Sequence, residues 1–171
     1  YFVCYNFFMI SFKVNDINNF MQHLLVKETF DNYLLCEGQI DTSNSFSLNG
    51  RINAAFYDSN ELEAKINDFV YWKDIKHICF EIIKGKKVPT KMKLVFSLAK
   101  EYHGKILDAS GMDMDLHQIG GLYIHILYEN NTLEVITGTS INVFTMDKTL
   151  DHYWDKMVLT FFNNYFSCDE N

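Results

Sequence analysis

Two tryptophans divide this chain into matching halves. Trp72 lies in the segment Tyr-Trp-Lys-Asp-Ile, and Trp154, the second of the two, lies in Tyr-Trp-Asp-Lys-Met, 82 positions later. When the chain is shifted on itself by that distance, the alternating apolar residues of 10–14 fall on those of 92–96. The helix-spaced apolar residues of 20–25 likewise fall on those of 102–107. Because both periodicities are kept, the sequence predicts an internal duplication.

The first half is predicted to contain a strand, a helix, a three-stranded meander and a second helix. The predicted strands cover 10–14, 33–41, 45–48 and 51–56, and the predicted helices cover 16–26 and 69–84, with a short surface helix from Ser59. Asn15 or Asp16 is suited to cap the first helix. Asn49-Gly50 is a strong signal for a tight hairpin, so residues 51–56 are expected to pair back on the preceding strand.

The second half repeats this order. The predicted strands cover 92–96, 121–128, 132–137 and 140–145, and the predicted helices cover 97–108, capped by Ser97, and 150–165. Gly138 is expected to form a turn, and residues 167–171 are expected to fray. The two main helices are expected to bury matching stripes, which are Trp72, Ile75, Cys79 and Ile83 in one helix and Trp154, Met157, Phe161 and Tyr165 in the other.

These elements predict an α+β fold made from two β-α-β-β-β-α units related by a pseudo-twofold axis. One such unit cannot shield a sheet face and two helical stripes from water, so antiparallel sheets with helices packed on one side are expected. The predicted boundaries are 9–88 for the first repeat, 89–166 for the second and 167–171 for the tail. At 171 residues, both repeats fit within one compact domain.

The beginning of the chain is expected to lie outside the first repeat. Residues 1–8 are apolar, but no basic region precedes them and no small-residue cleavage site follows, so they make a poor signal peptide. Met9 opens the first repeat, and we expect the native chain to begin there. Residues 1–8 are therefore treated as an appendage.

Composition limits the classes of partner. The net charge of -7, with 15 basic against 22 acidic residues, opposes general binding to a phosphate backbone. No apolar run reaches the ~18 residues needed to span a bilayer. The four cysteines are widely spaced, which favours free thiols and a cytoplasmic protein.

The segment 111–117 contains the residue types that a divalent metal ion would use. Asp113, Asp115 and His117 lie within five residues of one another. The segment lacks the regular oxygen-rich repeat of a calcium loop, and a solvated loop explains it equally well. A helical acid-base set of Asp74, His77 and Glu81 has a similar alternative, because such residues also form an ordinary solvated helix face.

A cluster of lysines lies at the junction of the two halves. Lys84, Lys86, Lys87 and Lys91, followed by Lys93, could bind an anion or nucleic acid, although a solvated linker would have the same composition. On the strand predicted over 121–128, His125 points away from its apolar neighbours, towards solvent or a ligand-binding concavity. Tyr123 and Tyr128 of that strand could stack on bases or pack within the sheet.

The chain resembles known proteins at two levels. The order of elements resembles the duplicated half of the TATA-binding-protein fold and, more loosely, the halves of sliding-clamp domains. At the level of residues, four segments resemble those of an uncharacterised family of short proteins from anaerobic Gram-positive bacteria. The segments are Phe-Asp-Asn-Tyr at 30–33, Ile-Lys-Gly-Lys-Lys-Val-Pro at 83–89, Thr-Gly-Thr-Ser at 137–140 and Leu-Asp-His-Tyr-Trp-Asp at 150–155. This resemblance covers residues 9–162 and implies no activity.

The sequence therefore favours a non-catalytic binding or adaptor module that uses the surface across the two repeats. A protein is the favoured partner, nucleic acid is disfavoured by the net charge, and neither a membrane partner nor a cofactor is expected. The alternative is a small enzyme or metal-binding protein that uses the loop from Asp113 to His117.

Overall fold

A computed structural model describes residues 10–171, so the predicted start at Met9 and the appendage 1–8 lie outside the described residues. The described chain forms an antiparallel sheet of eight strands with helices beside it, which confirms the α+β class. The strands are β1 Ser11–Val14, β2 Tyr33–Asp41, β3 Ser45–Asn49, β4 Val70–Tyr71, β5 Lys91–Leu98, β6 Ile119–Glu129, β7 Thr132–Ile141 and β8 Cys168–Glu170. The helices are α1 Ile17–Leu25, α2 Ser59–Glu63, α3 Trp72–Ile83, α4 His103–Ser110 and α5 Thr149–Asn163.

The strand order across the sheet is β3-β2-β5-β6-β7-β1-β8, and β4 pairs with β2 beyond the end of β3. The strand β5 lies inside the sheet, between the hairpins β2-β3 and β6-β7. Asn130 and Asn131 join β6 to β7 with φ angles of 52° and 58°. Such angles fit the tight turns that match the twist of a hairpin, and here the turn joins the strands predicted over 121–128 and 132–137.

Within residues 10–171, the buried residues of α1, α3, α4 and α5 form one core with a first face of the sheet, and the second face has no such helical core. Met92, Leu94 and Phe96 of β5 point to the first face and are fully buried. The ring of Phe96 lies 5.0 Å from that of Trp72 in α3, and the ring of Phe12 in β1 lies 5.2 Å from that of Phe162 in α5. The alternation of side chains along the strands therefore separates an apolar core from a second, more polar face.

The helices agree best with the sequence prediction where a capping residue or a long stripe of apolar residues signals the helix. Asp16 caps α1, since its Oδ1 accepts a hydrogen bond from the Asn19 backbone N–H at 3.0 Å. The predicted stripe of α5 is partly wrong, because Tyr165 is 45% exposed whereas Val158 and Phe162 are fully buried. Phe161 and Phe162 are adjacent aromatic residues, and it is Phe162 that packs against β1.

The strand predicted over 51–56 does not form, although Asn49-Gly50 is a strong hairpin signal. Gly50 instead passes directly against β2, where its N–H donates to the Cys36 carbonyl oxygen at 3.0 Å. A Cβ atom on Gly50 would lie 1.7 Å from the Leu35 carbonyl oxygen. The chain then pairs with residues 68–70 through an isolated bridge between Arg51 and Phe69. Glycine at this position therefore serves a close approach of two backbones and not a hairpin turn.

Three further predictions in the second half are corrected. Gly138 forms no turn, because β7 continues through it as far as Ile141. Ser97 does not cap a helix, since it belongs to β5, and α4 begins at His103. The tail does not fray, because Cys168–Glu170 pairs with β1 as an edge strand.

The internal duplication is not confirmed, because corresponding elements have different neighbours. β5 pairs with β2 and β6, whereas β1, its counterpart in the first half, pairs with β7 and β8. Trp72 and Trp154 are both fully buried, but the indole N–H of Trp72 donates to Leu24 in α1, and that of Trp154 donates to Tyr123 in β6. The two halves together form a single continuous sheet.

Candidate ligand-binding face of the sheet

The second face of the sheet, called here the open face, carries side chains in rows that run across β2, β5, β6 and β7. Leu34, Val95 and Ser97 within these rows are buried. Residues that pair across antiparallel strands point to the same side, so the register of the sheet defines each row. From β2 to β7 the rows are Leu34, Ser97, Tyr123 and Gly138; Glu37, Val95, His125 and Ile136; Gln39, Lys93, Leu127 and Glu134; and Asp41, Lys91, Glu129 and Thr132.

An open concavity with a volume of about 660 Å³ lies over β2, β3, β5 and β6. Its lining combines charged, amide and aromatic side chains: Glu37, Gln39, Ser47, Asn49, Phe69, Lys93 and Tyr123, with Cys36, Gly38, Leu48 and Val95. This volume lies within the range of ordinary small-ligand and side-chain pockets. The open face therefore combines an open hollow with several polar side chains.

A charged group lies across the middle of this face. Lys93 Nζ lies 2.9 Å from Glu37 Oε1, and the pair joins β5 to β2. Burial lowers the pKa of the neighbouring His125, and the positive charge of Lys93 lowers it further, while Glu37 opposes that shift. His125 is therefore a neutral imidazole at physiological pH, available as both donor and acceptor.

Gly121 makes room for an aromatic ring on the open face. A Cβ atom on Gly121 would overlap the ring of Tyr123, so this ring lies directly against the backbone of β6. Gly138 pairs with Tyr123 across the sheet, and a Cβ atom there would lie 3.6 Å from His125 Nε2. The tyrosine ring thus packs directly on the backbone at Gly121, whereas a methyl group at Gly138 would make only ordinary van der Waals contact with His125.

Cys36 lies at the irregularity in β2, where the register with β5 shifts between Leu35 and Glu37. Burial raises the pKa of the Cys36 thiol, and a hydrogen bond with Ser97 only partly offsets this. The thiol is therefore protonated at neutral pH. Since the thiolate is the reactive form of cysteine, Cys36 is not set up as a nucleophile.

The structure pairs several of the lysines predicted as an anion-binding cluster with carboxylates. Lys84 forms an ion pair with Glu81 one turn earlier in α3. Lys91 Nζ lies 4.0 Å from Glu129, across the strands β5 and β6. Lys86 and Lys87 are exposed in the segment between α3 and β5. The predicted cluster is thus spread over a helix end, a loop and a strand, and part of its charge is neutralised.

The predicted metal loop gains no support from the structure. Asp115 caps a short helical turn, Leu116–Gln118, since its Oδ1 accepts the His117 backbone N–H at 2.9 Å. Within residues 10–171, no three side chains of histidine, cysteine, aspartate or glutamate gather as metal ligands. The loop with Asp113, Asp115 and His117 remains a prediction from composition.

The predicted acid-base set lies on the outside of α3. Asp74, His77 and Glu81 are all exposed there, and none of them lines the concavity of the open face. A general acid or base needs a cleft that excludes water and positions a substrate. The structure therefore favours the solvated helix face that was the alternative interpretation.

Two aspartates of α5 form a buried group that sequence reasoning missed. Asp151 is 2% exposed and accepts a hydrogen bond from Thr139 Oγ1, and Asp155 accepts one from Thr137 Oγ1 at 2.5 Å. Burial raises the pKa of Asp155, and the nearby Asp151 raises it further. A one-turn spacing of two aspartates, within a stripe that also contains Trp154, is the signal that could have revealed them.

Replacing Asp155 with asparagine should increase stability at neutral pH. The pKa of Asp155 is higher in the folded than in the unfolded protein, so its stabilising contribution is complete below the unfolded pKa and disappears as the pH rises through the folded pKa. Asparagine stays neutral and can still accept from Thr137. Urea unfolding from pH 3 to 8 should show that the free energy of unfolding of Asp155→Asn, relative to that of the wild type, increases as the pH rises. A stability advantage of Asp155→Asn that shrinks towards high pH would contradict the raised pKa. The matched control is Asp74→Asn, on the exposed side of α3.

The fold and the open face define a small α+β protein with a one-sided sheet and a polar concavity. The chain belongs to a family of unknown function, DUF5721, which matches residues 23–166. This confirms the resemblance to an uncharacterised family. No curated protein and no solved structure matches the chain, so the likeness to the TATA-binding-protein fold gains no support. Among residues 10–171, no helix combines the length and apolar character needed to cross a membrane.

Proposed function

We propose that this protein is a non-catalytic binding module whose partner occupies the open face of the sheet. The observation that carries this proposal is the concavity of about 660 Å³ over β2, β3, β5 and β6. Solvent-facing sheets commonly carry scattered polar residues, but here an ion pair, two amides and two rings surround one hollow. Such a combination of aromatic anchors and placed polar groups is typical of recognition surfaces.

The chemistry of the open face favours binding over catalysis. Its thiol, Cys36, has a raised pKa and is therefore a poor nucleophile. Its histidine, His125, is flanked by the ion pair of Lys93 and Glu37, which fixes charge near it but supplies no activated nucleophile. These groups are therefore assigned to recognition.

A protein partner fits this surface better than a nucleic acid does. The charges on the concavity are balanced, because Lys93 is paired with Glu37, whereas a phosphate backbone would need unpaired cations. The protein as a whole carries a net charge of -7. The proposal includes the cytoplasm as the compartment, because the free thiols Cys36 and Cys79 suit a reducing environment.

Removal of side chains from the concavity should weaken the partner complex. We expect Tyr123→Ala and Lys93→Ala each to reduce affinity about tenfold or more, which corresponds to ~1.4 kcal/mol at an interface anchor. The immobilised protein would first be used to capture partners from source cells. The affinity of each purified partner would then be measured by titration calorimetry.

The matched control is Lys105→Ala, which also removes one exposed lysine but lies on α4, away from the open face. This variant should bind like the wild type. Circular dichroism and thermal melts would establish that all three variants are folded. A partner that binds Tyr123→Ala and Lys93→Ala as tightly as the wild type would place the binding surface elsewhere and overturn the proposal.

A further inference from the structure

The strand β3, Ser45–Asn49, forms one edge of the sheet. Within the described residues it pairs only with β2. Alternate backbone N–H and C=O groups along its outer side therefore have no neighbouring strand. Such an edge is a template for another strand, and proteins usually block it with charges, proline or a bulge.

The two edges of this sheet differ in that protection. No charged residue and no proline occurs from residue 42 to residue 50, and β3 pairs with β2 without a register shift. At the opposite edge, β8 carries the carboxylates Asp169 and Glu170 and has only three residues. The protein thus protects one edge against strand pairing and leaves the other suited to it.

We infer that β3 pairs with β3 of a second copy, in an antiparallel arrangement centred on Ser47. In that register Phe46 of one copy lies opposite Leu48 of the other, and Ser45 lies opposite Asn49. Phe46 and Leu48 pair with Ile40 and Gly38 of β2, so they point to the apolar side of the sheet in both copies. The apolar residues therefore meet each other, and the polar residues do likewise.

A second copy is favoured over an unrelated strand because β3 is complementary to itself. Its uncharged residues introduce no like-charge contact along the pairing line, despite the net charge of -7 on each copy. The same alternation that suits β3 to the sheet of its own chain suits it to a copy of itself. The two sheets then join into one sheet about a twofold axis.

Dimerisation would also complete the candidate site. Ser47 and Asn49 line the concavity on its β3 side. In the dimer, Ser45, Ser47 and Asn49 of the second copy would continue the open face beyond this rim. The two concavities would then face each other across the axis as one polar groove. The pairing itself does not depend on the proposed function.

The dimer is expected to be weak and to strengthen with salt. An edge of five residues gives a contact at the small end of known interfaces. Two bodies that each carry a charge of -7 repel one another, and salt screens that repulsion. Sedimentation velocity of the purified chain, from about 10 μM to 1 mM, should show a shift from the 20.1 kDa monomer towards twice that mass.

Charge substitutions at the axis test the register. Ser47→Lys would place two lysines directly opposite each other, and Ser47→Glu would do the same with two carboxylates, so each variant alone should be monomeric. An equimolar mixture of Ser47→Lys and Ser47→Glu should dimerise again, because opposite charges then face each other. Asn163→Lys, at the exposed end of α5, is the matched control and should dimerise like the wild type.

Three results would overturn the inference. The wild type could remain monomeric over the whole concentration range, as it would if β3 receives a strand from another protein. The Ser47→Lys variant could dimerise like the wild type, which would place the interface elsewhere. Finally, the mixture of the two charge variants could fail to associate, which would exclude the pairing of Ser47 with its own copy.

Discussion

Replacing either tryptophan with alanine should lower the free energy of unfolding by about 3–5 kcal/mol, the range for deleting a large buried aromatic side chain. Trp72 and Trp154 are both fully buried, so each truncation leaves a cavity that a close-packed core cannot fill. Each indole also donates a hydrogen bond, from Trp72 to the Leu24 carbonyl at 2.7 Å and from Trp154 to the Tyr123 carbonyl at 3.0 Å. Urea unfolding can be followed in each variant through the fluorescence of the remaining tryptophan.

The matched control for these variants is Phe144→Ala. Phe144 is 90% exposed, so its loss should change stability by less than about 0.5 kcal/mol. A loss below about 1 kcal/mol for either tryptophan variant would contradict the burial of both indoles in the core. Trp154→Phe would separate the contribution of core packing from that of the hydrogen bond, because phenylalanine keeps most of the ring volume but cannot donate to the Tyr123 carbonyl.

Local sequence signals predicted most of the helices and strands. Asp16 and the stripe of Phe20 and Leu24 defined α1, and the alternation of Met92, Leu94 and Phe96 defined β5. Each of these signals depends on residues within a few positions of one another. Whether such a segment forms a helix or a strand is therefore decided by local geometry and by the burial of one apolar face.

The order of strands in the sheet could not be predicted in this way. The repeated Tyr-Trp segments suggested two equivalent units, yet β5 lies between two hairpins inside the sheet and β1 lies next to the edge strand β8. Neighbouring strands such as β1 and β7 are more than 100 residues apart in sequence, as the pairing of Phe12 with Val135 shows. No local periodicity encodes a pairing over that distance.

The candidate site was predictable only in part, for the same reason. Alternation along a single strand indicated that His125 points away from its apolar neighbours, but Tyr123 was grouped with Tyr128, which the structure places in the core. The partners of His125 and Tyr123 on the open face, Glu37 and Lys93, lie on other strands, and only the register brings all four together. The lysines were grouped by their spacing in sequence, whereas the structure separates Lys84 from Lys91 and pairs each with a carboxylate.

Gly50→Ala should destabilise the protein by about 3 kcal/mol or more, at or above the upper end of typical overpacking costs. A Cβ atom at this position would lie 1.7 Å from the Leu35 carbonyl oxygen and 3.4 Å from the Leu35 Cβ. The obstruction is backbone, so no side-chain rotation can relieve it. To make room, the chain would have to separate from β2, which would break the hydrogen bond from Gly50 N–H to Cys36 and the one from Val70 N–H to Gly50.

Gly104→Ala provides the matched control, because Gly104 lies in α4 with no atom within 4 Å of the added methyl group. Alanine is favoured over glycine in a helix by about 0.5–1 kcal/mol, so this variant should be more stable than the wild type. In urea unfolding, the same glycine-to-alanine change should thus lower the free energy of unfolding at position 50 and raise it at position 104. A Gly50→Ala variant as stable as the wild type would show that a methyl group fits at this position. The close contact between residue 50 and β2 would then be wrong.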